Sequence, residues 1–232
     1  MTYSKLSIKN SSFNIVSNNM DPSRDATLTG TSLEVIVVGA QPGLSKQWYK
    51  GEWSEDSSNT PDCFSLNGET PHISSSSPQN EVCALCEHNA WGSSITPQGN
   101  KVKACSDIKR LAIIFADRLD DEVYLLQVTP SSLKNLNAYH KTLSMRGIVP
   151  EISKTIISFD NSVMFPKLEF KFGGLVSKDV QPFVDSLVGS DRVKQVTGEH
   201  VVITESPSTA EDFGFTVEVG YTINNESGGS NE

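Results

Sequence analysis

Apolar residues along this chain group into short runs that predict β-strands. Residues 33–39 form a short apolar run, which is typical of a buried strand. Regular pattern returns at 110–117 and 122–130, which a short link joins in the manner of a hairpin. Two further strands are predicted, one over the β-branched stretch 151–160 and one over 165–172, where apolar and charged residues alternate.

Helical spacing is found at two places in the chain. Between the third and fourth predicted strands, side chains recur at helical spacing at Leu133, Leu136, His140 and Leu143. A second helix is predicted at about 180–188, ending at Gly189. Three strands, a helix and two further strands, with a long insertion after the first strand, are in the order of a five-stranded OB-fold barrel. A mainly β chain with minor α is therefore expected, although generic α+β sheets can share this order.

These patterns divide the chain into four parts. Residues 1–30 are predicted to form an N-terminal arm, and residues 31–175 an OB-fold core. The core carries an insertion at 41–108 that lacks apolar periodicity, and a loop of that length needs something other than a hydrophobic core to hold it. Residues 176–223 are predicted as a helix and an acidic β-hairpin, and residues 224–232 as a disordered tail.

The predicted C-terminal hairpin carries most of the net charge. Apolar residues occupy every second position from Phe213 to Ile223, as in a half-buried strand. All 19 Lys and Arg residues lie within 1–194, which leaves a charge of −2 there and −7 over 195–232, from a total of −9. A nearly neutral body with an acidic end suggests a partner-binding region at that end. An acidic total does not exclude nucleic acid, because local patches determine the field.

The insertion contains every cysteine of the chain. Their spacing is C-x19-C-x2-C-x18-C, and the residues are Cys63, Cys83, Cys86 and Cys105. Four thiolates, two of them from one tight turn, match the ligand count of a structural zinc site. Zinc (Zn²⁺) would also order the insertion, because metal ligation can replace hydrophobic burial.

The same four cysteines also permit other arrangements. An iron–sulfur cluster uses the same ligands, and His88 or His72 could replace one thiolate. Two disulfides are disfavoured because the N-terminus shows no secretion signal. No apolar run approaches the length of a membrane span, so a cytoplasmic location, in a cell or an infected host, is expected.

Aromatic and basic residues alternate around the cysteines, a composition that suits a single-stranded nucleic acid. Bases stack on rings while cations follow the phosphates. The candidate contacts are Lys46, Trp48, Tyr49, Lys50, Trp53, Trp91, Lys101, Lys103, Lys109 and Arg110, together with Lys167 and Lys171 on the last predicted strand. The alternative is that the tryptophans pack beneath the metal site and the lysines are simply solvated.

Four blocks of sequence carry a family resemblance. They are PDCFSLNGETP, CALCEHNAWGS, KVKACSDIKRLAII and VYLLQVTPSSLKNLNAYHKTLSMRGI. Over roughly residues 33–175 the chain resembles a group of tailed-phage replication-region proteins associated with single-stranded-DNA binding. In general plan it is similar to the T-even phage helix-destabilising protein, an OB-fold with a zinc-bearing insertion and an acidic C-terminal region.

The resemblance implies single-stranded DNA in the barrel groove and replication or recombination proteins bound to the acidic end. Two features depart from the T-even plan. The T-even protein is expected to use a histidine among its zinc ligands, whereas this chain offers four cysteines. Its acidic end is a tail, whereas residues 213–223 here have the pattern of a strand.

Together these features predict a non-enzymatic protein that coats and protects template strands in phage DNA replication or recombination. A zinc-stapled protein-interaction or virion component without nucleic-acid binding is one alternative. A metal-dependent nuclease is another, but it needs carboxylates converging on a metal with an open position. The acids here are scattered along the chain, and a zinc ion held by four thiolates has no open position.

Overall fold

A computed structural model describes residues 3–17, 25–51, 60–119 and 122–199. Within these ranges the strands are β1 (Ser4–Lys9), β2 (Ser12–Val16), β3 (Ala26–Thr27), β4 (Ser32–Ala40), β5 (Ser45–Trp48), β6 (Cys63–Ser65), β7 (Ser94–Ile95), β8 (Lys101–Val102), β9 (Ser106–Phe115), β10 (Tyr124–Val128), β11 (Ser153–Phe159) and β12 (Leu168–Leu175). The helices are α1 (Pro130–Met145), α2 (Gln181–Leu187) and α3 (Asp191–Thr197), with 3-10 turns at Cys83–Leu85, Glu87–Asn89 and Pro150–Ile152. The mainly β class is confirmed.

Most of these strands form a single curled sheet. Its order is β12-β11-β4-β9-β10-β1-β2-β3, and β5 links β9 to β6 at one side. Neighbouring strands are antiparallel except β1 and β10, which run parallel with Ser4 opposite Tyr124. The first part of β9 pairs with β5 and the second part with β4, so the cysteine insertion leaves the sheet directly beside β9.

The N-terminal region is part of this sheet. Residues 1–30 were predicted to form an N-terminal arm, and within them β1 and β2 form a hairpin in which Leu6 lies opposite Ile15. The turn residues Asn10 and Ser11 have φ of 50° and 53°. Positive φ at both central positions is the geometry of a two-residue hairpin turn whose twist matches the strands. The strands are too short for their pattern to stand out in the sequence.

Each face of the central strands packs against a different hydrophobic cluster. On one face Val35, Val37 and Ile113 join a cluster with residues of α1. On the other face Ile36 and Val38 meet α2 and α3. Burial on both faces explains why residues 35–38 are all apolar instead of alternating.

The curl of the sheet brings distant strands into contact inside it. Phe13 of β2 and Phe159 of β11 stack with ring centroids 4.5 Å apart, although several strands separate them in the sheet order. Tyr139 of α1 also bonds Thr155 of β11, with 2.7 Å between their hydroxyl oxygens. The interior is therefore closed by side chains from opposite parts of one sheet and by α1.

All five predicted strands and both predicted helices have counterparts in the structure, whereas α3 was not predicted. Its start is capped by Ser190, whose hydroxyl accepts a bond from the Val193 N–H at 3.4 Å. Gly198 ends it with a φ of 85°. The predicted hairpin strand at 213–223 and the tail at 224–232 lie outside the described residues. None of the helices in the described ranges is long and apolar enough to cross a membrane.

Candidate metal centre and its surroundings

The four cysteines come from three separate pieces of the insertion. Cys63 begins β6 and lies opposite Trp48 of β5. Cys83 begins the first 3-10 turn, and Cys86 links this turn to the next one. Cys105 directly precedes β9. All four cysteines are free of disulfides.

Backbone hydrogen bonds bring these pieces together. The Cys105 N–H donates to the His88 carbonyl at 2.8 Å, and the Cys83 N–H donates to the Glu69 carbonyl at 2.7 Å. The Asn89 side-chain amide donates to the Cys83 carbonyl at 2.9 Å. The chain carrying Cys83 and Cys86 is thereby tied to the chain before β9.

All four cysteines line one small cavity. Its volume is about 20 Å³, and Lys46, Trp48, His88 and Asn89 are among its other lining residues. A cavity of roughly 10–15 Å³ on this scale holds one water molecule. The space therefore matches a single ion.

The cavity favours protonated thiols in the absence of a metal. The pKa of the Cys105 thiol is raised to about 11, chiefly by burial; Lys46 acts to lower it, and the other three thiols contribute to the rise. Burial also raises the pKa of Cys83, against the effect of a hydrogen bond with Ser65. A divalent cation would reverse this preference, because metal-bound thiols are deprotonated.

The thiols share a cavity without converging on one point. In the described ranges no group of three or more His, Cys, Asp or Glu side chains has the arrangement of a formed metal site. Tetrahedral zinc with bonds of about 2.3 Å would need sulfurs about 3.8 Å apart. The residue types and the size of the cavity fit zinc. The ligand geometry would have to form by movement of the cysteine side chains.

The two nearby histidines are engaged elsewhere. The His88 ring stacks on Trp48 with centroids 4.6 Å apart, and its Nε2 lies 3.1 Å from Gln79 Oε1. His72 stacks on Phe64 at 4.8 Å and accepts the Ser74 N–H at its Nδ1. These contacts favour a ligand set of four cysteines over one that includes a histidine.

Two of the predicted DNA contacts form ion pairs that hold the insertion to β9. Lys46 Nζ lies 2.6 Å and Lys103 Nζ 2.9 Å from the Asp107 carboxylate. Both ammonium groups also donate to Asn89 Oδ1, at 2.9 and 3.2 Å. Burial acts to raise the pKa of Asp107, but the two lysines outweigh it and lower that pKa. The position of Asn89 between them was not apparent from the sequence.

Three further predicted cations also make internal contacts. Arg110 is 4% exposed; its Nε donates to the Thr197 carbonyl at 3.0 Å and its Nη2 to the Val196 carbonyl at 2.7 Å, at the end of α3. Lys109 Nζ donates to the carbonyls of the chain that follows β4. Lys167 Nζ lies 2.7 Å from Asp160 Oδ2. These three cations therefore hold the chain together.

The other predicted contacts differ in their exposure to solvent. Trp91 is 74% exposed, and Lys50, Lys101 and Lys171 are also exposed. Tyr49 is partly buried, and burial, followed by the charge of Asp62, raises its pKa. Trp53 lies outside the described residues.

The loop between β11 and β12 presents apolar side chains that the sequence did not single out. Met164 is fully exposed, and Phe165 is 52% exposed. Asp160 holds this loop, since its carboxylate accepts the Ser162 N–H at 2.9 Å and binds Lys167. Lys167 and then Ser162 hold the pKa of Asp160 well below its usual range. The signal in the sequence was the pair of apolar residues, Met164 and Phe165, between two strands.

No protein-family model, curated protein or solved structure matches this chain. Its function is therefore inferred from the fold and from the surfaces described above.

Proposed function

We propose that this protein is a non-enzymatic single-stranded-DNA-binding protein with an OB-type barrel and a zinc-stapled insertion. The proposal is supported by the order in which the strands of the sheet are connected. Strands β4, β9 and β10 form a meander, α1 follows, and β11 returns beside β4 before β12. This order agrees with the Greek key expected of an OB-fold and supports the proposal.

The OB-type order identifies the surfaces expected to bind DNA. OB-folds bind oligonucleotides with the face of their second and third strands and with the loops after the first and fourth strands. Here those strands are β9 and β10, and both of their faces are covered by the two hydrophobic clusters. The surfaces left for DNA are the two loops, 41–105 and 160–167. Exposed Trp91 and Lys101 belong to the first loop and exposed Phe165 to the second. Rings and cations in these positions suit bases and phosphates.

One strand pairing departs from a closed five-stranded barrel. Strand β10 pairs with β1 instead of β12. The N-terminal hairpin then extends the sheet beyond β10, and the Phe13–Phe159 contact fills the interior. The proposed barrel is therefore an open one whose edge is occupied by residues from the N-terminus.

The proposed role of zinc is structural. An ion bound by Cys63, Cys83, Cys86 and Cys105 would join the three pieces of the insertion and leave no position open for a substrate. A cavity of about 20 Å³ favours one ion over a cluster of several iron and sulfide atoms. Lys46, which also lines the cavity, would offset part of the negative charge of four thiolates.

The resemblance to phage replication-region proteins supports a role in coating template strands during replication or recombination in an infected host cell. The acidic residues 195–232 are the proposed contact for replication or recombination proteins, because they carry a charge of −7. Most of them lie outside the described residues, so this part of the proposal depends on charge.

Fluorescence anisotropy of a labelled single-stranded oligonucleotide tests the proposal directly. We expect saturable binding that weakens as salt rises, because phosphate contacts release counterions. A duplex of the same length should bind far more weakly. Equal affinity for the duplex, or no binding of the single strand at low salt, would contradict the proposal.

A protein-interaction module is the second candidate. The observation that favours it is the apolar exposure of the insertion, where Leu85 is 77% and Ile95 65% exposed. Exposed apolar side chains can mark contact with another protein. The same titration separates the two candidates, because an interaction module without nucleic-acid binding leaves the oligonucleotide free.

A further inference from the structure

A second cleft opens at the end of the sheet away from the cysteines. The insertion leaves from the end of β4 and re-enters at the start of β9, whereas this cleft lies where β4 begins and β9 ends. Its volume is about 370 Å³. Cavities that hold small organic ligands start at about 300 Å³. The cleft is therefore large enough for a planar ring.

The lining of the cleft combines apolar and charged residues. Leu28, Leu33 and Phe115 supply its apolar part, and they also pack into the cluster inside the sheet. The Arg118 guanidinium carbon lies 4.3 Å from the centre of the Phe115 ring. Aromatic rings and guanidinium planes are the surfaces on which nucleobases stack.

The charges around the cleft balance one another. Glu34 forms an ion pair with Lys154 at 3.1 Å. Asp117 and Arg118 also carry opposite charges, and in the described ranges neither side chain has a hydrogen bond or ion pair with another residue. A site without net charge does not attract a phosphate strongly. It suits a neutral ring, and the Asp117 carboxylate can accept hydrogen bonds from that ring.

We infer that this cleft accepts one unstacked nucleobase of a bound single strand and prefers a base with an exocyclic amino group. The inference depends on the proposed single-strand binding and adds a base preference to it. Ionised carboxylates only accept hydrogen bonds, so the Asp117 carboxylate matches the amino group of cytosine. Uracil has an oxygen at that ring position, and its one N–H donor, at N3, lies between two carbonyl oxygens that repel a carboxylate.

Homo-oligomers of deoxycytidine and deoxyuridine of equal length test the inference. Their bases differ at C4, which carries an amino group in cytosine and an oxygen in uracil, and at the adjacent N3, which carries a hydrogen only in uracil; their backbones are the same. We expect the wild-type protein to bind oligo(dC) about fivefold or more tightly than oligo(dU), because the oxygens on both sides of the uracil N–H oppose the Asp117 carboxylate.

Two variants connect this preference to the cleft. Thr29 lines the cleft and is exposed, so Thr29→Trp should fill the space and bring the affinity ratio close to one. Asp117→Asn should lower the ratio without filling the cleft, because an amide both donates and accepts. Thr142→Trp, at an exposed position on α1, is the matched control and should keep the wild-type ratio. Thermal unfolding of each variant checks that it is folded.

The outcomes separate the two proposals. The cleft inference alone is overturned if single strands bind in a salt-dependent way but the wild-type protein has nearly equal affinity for oligo(dC) and oligo(dU). It is also overturned if Thr29→Trp leaves the ratio of these affinities unchanged. Failure to bind either oligomer at low salt overturns the proposed function and the cleft inference with it. A preference for oligo(dC) that Thr29→Trp removes and Thr142→Trp retains supports both.

Discussion

Gly39 of β4 lies directly against Val193 of α3, and a Cβ atom at position 39 would overlap the Val193 side chain. This contact lets α3 pack closely on the sheet, where Val193 and Val196 are buried. The end of α3 is in turn held by Arg110 of β9. The helix therefore depends on a small residue in one strand and a buried cation in the next.

Gly39→Ala should lower the free energy of unfolding by about 1–3 kcal/mol, because overpacking a filled interior forces side chains and backbone to move. The valine at 193 is β-branched and has little rotamer freedom to relieve the overlap. Urea denaturation measures the change. Gly51→Ala is the control, since among the described residues no atom lies within 4 Å of a Cβ added there.

A double-mutant cycle links this effect to the named contact. In the Val193→Ala background, Gly39→Ala should cost less than in the wild type, because the overlapping methyl group is gone. If the two substitutions are simply additive, the Gly39–Val193 contact is not the cause of the destabilisation.

Purified without chelator, the protein should contain about one zinc ion per chain, as measured by elemental analysis. Cys83→Ser or Cys105→Ser should lower both the zinc content and the melting temperature, because metal binding contributes folding free energy. Zinc binding should strengthen as pH rises and be lost in acid, because the ligand thiols must lose their protons and burial raises the pKa of Cys105 to about 11. A folded, metal-free chain with four reactive thiols would contradict this prediction.

Trp48 and Trp91 should respond differently to substitution by alanine. Trp48 lines the cysteine cavity and stacks on His88, so Trp48→Ala should mainly lower stability. Trp91 is exposed, and Trp91→Ala should lower single-strand affinity by about 1–3 kcal/mol if its ring stacks on a base. Phe165→Ala should act as Trp91→Ala does. Anisotropy titrations and thermal unfolding of the same samples separate the two effects.

Arg110 and Lys171 provide a similar contrast between cations. Arg110→Met removes the donors at the end of α3 and should lower the free energy of unfolding by about 1–3 kcal/mol, because carbonyl groups lose their partners. Lys171 is exposed, so Lys171→Gln should leave stability nearly unchanged. If it contacts a phosphate, the salt slope of DNA binding should fall by about one. A large loss of affinity in folded Arg110→Met would instead indicate a direct DNA contact.

Asp160 should make the loop between β11 and β12 sensitive to acid. Because Lys167 and Ser162 lower the folded-state pKa of Asp160, its contribution to stability is fully present above its unfolded pKa of about 4. That contribution is lost as pH falls through the lower folded-state pKa. The stability difference between wild type and Asp160→Asn should therefore be constant near neutrality and shrink in strong acid. Asp179→Asn, at an exposed position, is the control.

Local sequence was sufficient to predict the five strands β4, β9, β10, β11 and β12. The short apolar run at 33–39 becomes β4 because both of its faces are covered. The helical spacing from Leu133 to Leu143 becomes one face of α1, with Leu136 and Leu143 buried. Such patterns can be recognised in the sequence because the polarity of each residue reflects whether its own side chain is buried. The cysteine spacing predicts a zinc site, and this stays a prediction, because in the described residues the thiols share one cavity without forming a ligand group.

Only the tertiary structure decided which cations lie at the surface and how the sheet extends beyond β10. Lys46 and Asp107 form an ion pair between residues that are far apart in the chain, and β1 pairs with β10 across an even longer separation. Arg110 likewise meets the end of a helix more than eighty positions away. Composition determined that basic and aromatic residues surround the cysteines. Their environments were decided by long-range packing, because a charge is neutralised by whichever group the fold brings beside it.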